Sequence, residues 1–114
     1  IHAEAYAAGE LKHGTISLIE PGLPVIAFAT QENVYPKLLS NLREVKARGA
    51  LVTLILPEDW PPESADFTLR VPASGFMAAF PLAAILQLLA YECCVMRGLS
   101  VDQPRNLAKA VTVE

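Results

Sequence analysis

Charged residues are scarce in this sequence. They make up 18% of its 114 residues, whereas 53% are hydrophobic. This balance excludes an intrinsically disordered chain, because disorder needs low hydrophobicity and high net charge. The nine Lys and Arg residues are scattered and the net charge is −3, so the charge pattern does not favour nucleic acid as a partner. The apolar surplus predicts instead that another chain or domain covers part of the surface.

Cysteine is also scarce. The chain has two cysteines, the neighbours Cys93 and Cys94. Neighbouring cysteines rarely pair, so a fold held by disulfides is excluded and a reducing, cytoplasmic setting is expected. The histidines His2 and His13 do not combine with these thiols in the spacing of a zinc site. We therefore expect no metal and no cofactor.

Long hydrophobic runs without polar interruption are missing. The longest apolar stretch, residues 80–96, contains Gln87 and Glu92, and a membrane-spanning helix needs about 20 consecutive apolar residues. No signal peptide is recognisable, and the chain starts at Ile1 rather than Met, which suggests a piece of a longer protein. We expect no membrane partner.

Two short apolar runs separated by one amphipathic helix are present in the first half. Residues 24–29 and 51–56 are apolar on both faces, which is typical of strands in a parallel sheet covered by helices. The helix is predicted over residues 34–48, with Asn33 as its N-cap, Pro36 in its first turn, Asn41 on its polar side and Gly49 as its stop. This order predicts a βαβ unit and an α/β fold.

The second half continues the same alternation. Residues 59–65 are predicted to form a loop anchored by Trp60, followed by an edge strand at residues 67–71 with Arg70 facing solvent or a partner. A long helix is expected at about residues 75–97, ended by Gly98. This helix is apolar nearly all round, which predicts burial by a sheet on one side and by a second subunit or domain on the other.

Sequence motifs near both ends of the chain resemble those of a known protein family. Residues 4–14 read EAYAAGELKHG, and residues 102–109 read DQPRNLAK, followed by VTVE at the end of the chain. Together they resemble the glucosamine-6-phosphate synthase family over essentially the whole chain. The E-x-K-H-G core is shared by sugar-isomerase (SIS) proteins in general, whereas the ending is specific to the synthases. Thr15 departs from the pattern, because the family usually has proline there, and this alters how the turn after His13 is held.

The resemblance implies a three-layer αβα, flavodoxin-like SIS domain with a parallel sheet, incomplete at its N-terminal end. Residues 1–98 would form the partial SIS domain and residues 99–114 the catalytic tail. The family converts fructose 6-phosphate and glutamine to glucosamine 6-phosphate and glutamate. Its glutamate base, phosphate-binding loop and glutaminase domain precede the matched stretch, so we expect this chain alone to be inactive. Its expected partners are the sugar phosphates and either a second copy or the remainder of a parent synthase.

The resemblance also assigns roles to residues. Lys109 would engage the open-chain ketose through its amine, as an imine, and its amine would be tuned toward the neutral form by desolvation or by nearby cations. His13 would shuttle the proton that opens the sugar ring, in the neighbouring subunit's site. Ala108 would contact substrate with Lys109, and Ala108 and Val111 would line the ammonia channel. Without the motif, a solvated tail lysine and a surface or capping histidine would be favoured.

Two other interpretations remain open. The chain could be a non-catalytic SIS-type module that binds sugar phosphate or mediates association. A different SIS isomerase or deglycase is the third possibility, and the VTVE ending disfavours it. Glu4 and Glu10 are spaced like a carboxylate pair but have no clear role.

Overall fold

A computed structural model describes residues 1–61, 65–72 and 74–103. The chain divides into two compact units, one over Ile1–Pro81 and one that begins at Leu82. The predicted division between a domain at residues 1–98 and a tail at residues 99–114 stays a prediction, because most of that tail lies outside the described residues.

A three-stranded parallel sheet forms the centre of the first unit. Strands β1 (Pro24–Phe28), β2 (Leu51–Pro57) and β3 (Phe67–Val71) lie in the order β1-β2-β3. Val25 is opposite Val52 in the first pair, and Ile55 is opposite Leu69 in the second. The predicted α/β fold with a parallel sheet is confirmed.

Helix α1 (Tyr35–Ala47) connects β1 to β2 and follows a 3₁₀ turn at Glu32–Val34. Its first turn contains Pro36, as predicted. The predicted N-cap is wrong, because Asn33 lies inside the 3₁₀ turn and the residue before the helix, Val34, makes no side-chain cap. The assignment of Asn41 to a polar face is also wrong, since this residue is only 9% exposed.

The core lies between α1 and the sheet. Strand β2 is buried almost throughout, because it has a neighbouring strand on each side and the helix above it. The apolar stripe of α1 packs on this strand, as its helical spacing predicts. The buried cluster consists of Ala27, Ala29, Tyr35, Leu42, Val45, Ala50, Val52, Leu54 and Leu56.

Helix α2 (Ala79–Met96) follows a 3₁₀ turn at Gly75–Ala78. It ends as predicted at Gly98, where φ is 64° and the N–H donates to the Val95 carbonyl at 2.9 Å. None of its residues is buried, so the described residues do not provide the burial expected for an apolar helix.

The stretch Gly75–Met96 is, by length and composition alone, sufficient to cross a membrane, with a mean hydropathy of 1.7. The sequence led us to expect that Gln87 and Glu92 make this stretch too polar to span a membrane. The stretch still meets the criterion, because two polar residues lower the mean hydropathy of a long apolar segment only slightly. Core helices of soluble proteins meet the same criterion. The expectation of no membrane partner therefore stays a prediction.

Candidate functional site

His13 is the last residue of the short 3₁₀ helix Ala8–His13, and Gly14 forms the turn to the next one, Thr15–Leu18. The turn needs Gly14, whose φ of 153° is rarely adopted by other residues. The Gly14 carbonyl accepts two hydrogen bonds from Ser17, one from its N–H at 2.9 Å and one from its hydroxyl at 2.7 Å. The imidazole is exposed and has no hydrogen-bond partner among the described residues. It is therefore accessible to a ligand.

An ion pair fixes the segment just before His13. The Lys12 ammonium lies 2.6 Å from a carboxylate oxygen of Glu44 on α1. Both side chains are partly exposed, at 48% and 38%, so the pair contributes little to stability. Its effect is to hold the first 3₁₀ helix against α1.

A second set of hydrogen bonds lies in the segment that precedes the first 3₁₀ helix. The Tyr6 hydroxyl donates to Oε2 of Glu4, and Nε2 of His2 lies 2.9 Å from Oε1 of the same carboxylate. The sequence did not predict this network, and Glu4 was left without a role. The available signal was the alternate spacing of residues 2, 4 and 6, because such residues share one side of an extended segment.

The network perturbs two ionisation equilibria. Hydrogen bonds from Tyr6 and then from His2 lower the pKa of Glu4. The Glu4 carboxylate raises the pKa of Tyr6, and the Thr15 side chain opposes that change.

A pocket of about 590 Å³ opens beside the carboxyl end of β1, the end of a parallel sheet where α/β proteins bind ligands. Its polar walls include Lys12, Lys37 and the buried Asn41, whose side-chain amide has no hydrogen-bond partner among the described residues. His13 does not line it. The lining residues are Ala7, Ala8, Gly9, Lys12, Phe28, Ala29, Thr30, Gln31, Val34, Tyr35, Lys37, Leu38, Ser40 and Asn41.

The loop after β2 is fixed at the same end of the sheet. A guanidinium nitrogen of Arg70 donates to the carbonyls of Pro57 at 3.0 Å and Glu58 at 3.2 Å, and also to the Trp60 carbonyl. Tyr35 stacks against Trp60, with ring centroids 4.9 Å apart. The expectation that Trp60 anchors the loop is confirmed. Arg70 is exposed, as expected, and its guanidinium also binds the loop.

The other predicted site residues lie outside the described residues. These are Ala108, Lys109 and Val111. The described part of the tail ends at Gln103, whose N–H donates to the Ser100 hydroxyl at 3.1 Å. Of the predicted catalytic pair, the structure therefore describes His13, and the roles of all four residues stay predictions.

Comparison with known proteins places the chain in a family. The SIS domain family matches residues 1–97. The chain is 51% identical over 118 residues to a glutamine–fructose-6-phosphate aminotransferase (isomerizing) of Methanosarcina acetivorans, and 52% identical over 118 residues to one of Thermus thermophilus. Each alignment covers 100% of this chain and 19% of the relative.

A solved structure agrees with the sequence matches. The C-terminal domain of glucosamine-fructose-6-phosphate aminotransferase from Francisella tularensis superposes with a TM-score of 0.82 at 36% identity. The superposition covers 90% of this chain and 30% of that chain. The described fold is thus similar to part of the C-terminal domain of an enzyme that, like the sequence relatives, is named a fructose-6-phosphate aminotransferase.

Proposed function

This chain belongs to the SIS domain family, and we propose that it forms a C-terminal part of the isomerase domain of a glutamine–fructose-6-phosphate aminotransferase. The observation that supports this most is the identity of about half of all residues to such enzymes along the whole chain. The chain spans 19% of the length of these relatives. The activity proposed here is therefore that of a larger protein, to which this segment contributes residues.

The proposed reaction converts fructose 6-phosphate and glutamine to glucosamine 6-phosphate and glutamate. His13 transfers the proton that opens the cyclic sugar, a role suited to an imidazole, which has one nitrogen that can donate a proton and one that can accept it. Its exposed position beside a turn fits this role, because a ligand can approach the imidazole directly. We place the ring that it opens in the site of a second subunit, so the working protein is a homodimer.

Lys109 acts on the open-chain sugar. Its neutral amine adds to the C2 carbonyl, and loss of water gives the imine. Ala108 contacts the same substrate, and Ala108 and Val111 line the path along which ammonia arrives. Small apolar side chains suit that path because they exclude water without binding ammonia. The setting is the reducing cytoplasm, where Cys93 and Cys94 stay as thiols.

Deleting this segment from its parent tests the proposal. The parent lacking residues 1–114 should still hydrolyse glutamine but should form no glucosamine 6-phosphate, measured by mass spectrometry of the sugar product. Continued synthesis by the shortened parent would contradict the proposal. A complete parent that binds fructose 6-phosphate without converting it would favour the non-catalytic SIS module instead.

The isolated segment provides a second prediction. The 114-residue chain alone should not turn over fructose 6-phosphate, because phosphate binding, the C1/C2 proton base and glutamine hydrolysis need residues that it lacks. The assay measures the glucosamine 6-phosphate formed by the purified chain, whose mass has been verified, and uses the complete parent as the positive control. Any sustained turnover by the chain would show that its own residues form a complete site.

A further inference from the structure

The pocket at the carboxyl end of β1 is lined by cationic side chains and by no anionic one. Its lining includes Lys12 and Lys37, and none of its lining residues is an aspartate or a glutamate. Lys37 makes no hydrogen bond or ion pair with the other described residues. Lys12 is paired with Glu44, which lies outside the lining. Because a concave surface with charges of one sign attracts ligands of the opposite sign, the pocket favours an anion.

A buried amide faces the same pocket. Asn41 is only 9% exposed, and its side-chain amide has no hydrogen-bond partner among the described residues. No side-chain nitrogen or oxygen of these residues is both fully enclosed and unpaired, so the Asn41 amide keeps access to the pocket that it lines. An amide in such surroundings gains free energy by bonding to a group that enters the pocket. Asn41 is therefore available for ligand recognition.

The ammonium and the amide come from one helix. Lys37 and Asn41 are four residues apart on α1, so they lie on the same face of the helix with their Cβ atoms about 5–6 Å apart. The loop after β1 also lines the pocket, and it is fixed because the Thr30 carbonyl accepts the Gly75 N–H at 2.7 Å. Regular structure thus sets the spacing of these groups before a ligand binds, which lowers the cost of binding.

The size of the pocket and its other walls indicate an organic molecule rather than a bare ion. Its volume of about 590 Å³ lies within the range of roughly 300–1,000 Å³ that is usual for small-molecule sites. Thr30 and Ser40 add hydroxyl groups to the lining, whereas Phe28, Val34 and Leu38 add apolar surface. Since an inorganic ion would fill only a small part of this space, a charged group on a carbon skeleton matches the walls better.

We propose that this pocket binds a small organic anion, a phosphate ester or a carboxylate, whose charged group contacts Lys37 and the Asn41 amide. The ammonium attracts such a group as a point charge, and the amide nitrogen has two hydrogens to donate to it. Lys12 adds a second positive charge that the anion shares with Glu44. The inference does not rest on the proposed function, because it uses no residue to which that function assigns a role.

Amine labelling of the complete parent tests the pocket residue by residue. Limited acetylation followed by peptide mass mapping gives the labelling rate of each lysine, and a bound anion slows the labelling of an ammonium that it contacts. The probes are sorbitol 6-phosphate, gluconate and sorbitol, which carry a phosphate, a carboxylate and no charge on matched carbon chains. We expect one or both anions to slow the labelling of Lys37, and sorbitol to have no effect. Lys46, which Asp66 engages at 3.1 Å, is the internal control.

Three variants test the assigned contacts through the anion concentration that gives half of the full protection of Lys37. Asn41→Leu removes the amide at similar volume and should raise this concentration by about tenfold or more, the scale of one hydrogen bond to a charged group. Glu44→Gln releases Lys12 and should lower it roughly two- to fivefold, the scale of a partly exposed ion pair. Glu20→Gln makes the same charge change outside the lining and should leave the concentration unchanged.

The outcomes decide between a built site and general surface charge. Protection by one anion alone supports the site and identifies its ligand as a phosphate ester or as a carboxylate. The proposal is overturned if neither anion slows the labelling of Lys37, if sorbitol slows it equally, or if Asn41→Leu leaves the protection unchanged. None of these results affects the proposed function, which depends on glucosamine 6-phosphate synthesis and not on this pocket.

Discussion

Lys109 is the residue whose replacement tests the proposed chemistry most directly. An imine needs a primary amine that can lose its proton, and an arginine at this position stays protonated and has a different shape. Lys109→Arg in the parent should preserve the charge but lower glucosamine 6-phosphate formation by about a hundredfold or more, the scale of general acid–base and nucleophilic effects. Glutamine hydrolysis in another domain should survive at least in part, and both products can be measured in one assay.

Borohydride trapping with fructose 6-phosphate identifies the reacting amine independently. Reduction of the imine should leave a sugar adduct on the peptide that contains Lys109, found by peptide mass mapping. Lys12 is the internal control, because it is engaged by Glu44 at 2.6 Å. An adduct on Lys12, or full synthesis of glucosamine 6-phosphate by Lys109→Arg, would show that Lys109 does not form the imine and contributes only its positive charge to the docking of the tail.

The Asp66 carboxylate provides a test of how the stability of the fold depends on pH. Its Oδ2 accepts the Val52 N–H at 2.7 Å, and its Oδ1 lies 3.1 Å from the Lys46 ammonium. The hydrogen bond from the Val52 N–H is the main cause that lowers the pKa of Asp66 below its ordinary value of 3.8, and the hydrogen bond from Lys46 is the second. A group with a lowered pKa stabilises the fold above its ordinary pKa, and this contribution is lost as the pH falls through the folded-state pKa.

The prediction for Asp66→Asn follows from that sign. The substitution should lower the urea midpoint of the chain at pH 7, and the difference from the unsubstituted chain should shrink as the pH falls below about 4. Asp59→Asn is the control, because it makes the same charge change on an exposed loop residue. A difference that stays constant from pH 7 to pH 3 would contradict the role of the ionised carboxylate.

Residue roles were predictable from the sequence only where a motif or a side-chain pattern carried them. Gly49 and Trp60 were assigned correctly from local rules, since a helix stop and a proline-rich loop leave few alternatives. Asn41 was not, and the contacts of Arg70, which is exposed as expected, were not predicted. Asn41 is buried although it is polar. Arg70 donates to backbone carbonyls, and the sequence cannot indicate such acceptors because every residue has a carbonyl.

Among the elements, the turn between α1 and β2 has the strictest backbone requirement. Gly49 has φ of 89°, and a Cβ there would lie 2.9 Å from the Cα of Pro21. Gly49→Ala should therefore destabilise the fold by roughly 1–3 kcal/mol from backbone strain alone, plus the cost of moving Pro21. Urea unfolding at fixed chain concentration measures this effect.

Gly9→Ala is the matched control for that substitution. A Cβ at Gly9 would meet nothing within 4 Å, and its φ is not in the positive region. We expect its urea midpoint to stay close to that of the unsubstituted chain. Equal losses at both positions would mean that loss of glycine flexibility, rather than the Gly49 geometry, determines the result.

The strands and helices themselves were predictable because their patterns are simple. Residues 51–56 are apolar on both faces, and the strand there has a neighbour on each side. The 3₁₀ helices around His13 were not predicted. A 3₁₀ helix of four to six residues is too short for a hydrophobic period to develop, and the Ser17 side chain that bonds to the Gly14 carbonyl is of a common residue type.

At the scale of the whole molecule, the sequence pattern predicted the α/β class and the resemblance predicted the family. The partner that buries the apolar surface of α2 could not be derived from its hydrophobic pattern. An apolar composition indicates that a helix is buried in the working protein, but it does not identify what packs against it. The same limit applies to the proposed site, because we propose that residues outside this segment complete it and those residues leave no pattern in the segment itself.

The exposed apolar surface of α2 leads to the last prediction. Phe80, Leu88 and Met96 are 63%, 60% and 84% exposed, and each apolar side chain that becomes buried contributes about 1.5–3 kcal/mol. The isolated chain should therefore associate with itself, or with the remainder of its parent when both are present. Sedimentation at several concentrations should show dimers or larger species, and flotation with lipid vesicles should leave the chain unbound.

Two lysine substitutions on α2 separate apolar contact from charge. Leu88→Lys removes apolar surface, whereas Gln87→Lys adds the same charge to the same helix without removing any. We expect Leu88→Lys to weaken association by about tenfold or more, since 1.4 kcal/mol corresponds to a factor of ten, and Gln87→Lys to have a smaller effect. A monodisperse monomer with a sharp cooperative melt would contradict association through α2. Co-flotation with vesicles that Leu88→Lys abolishes would assign the helix to a membrane instead.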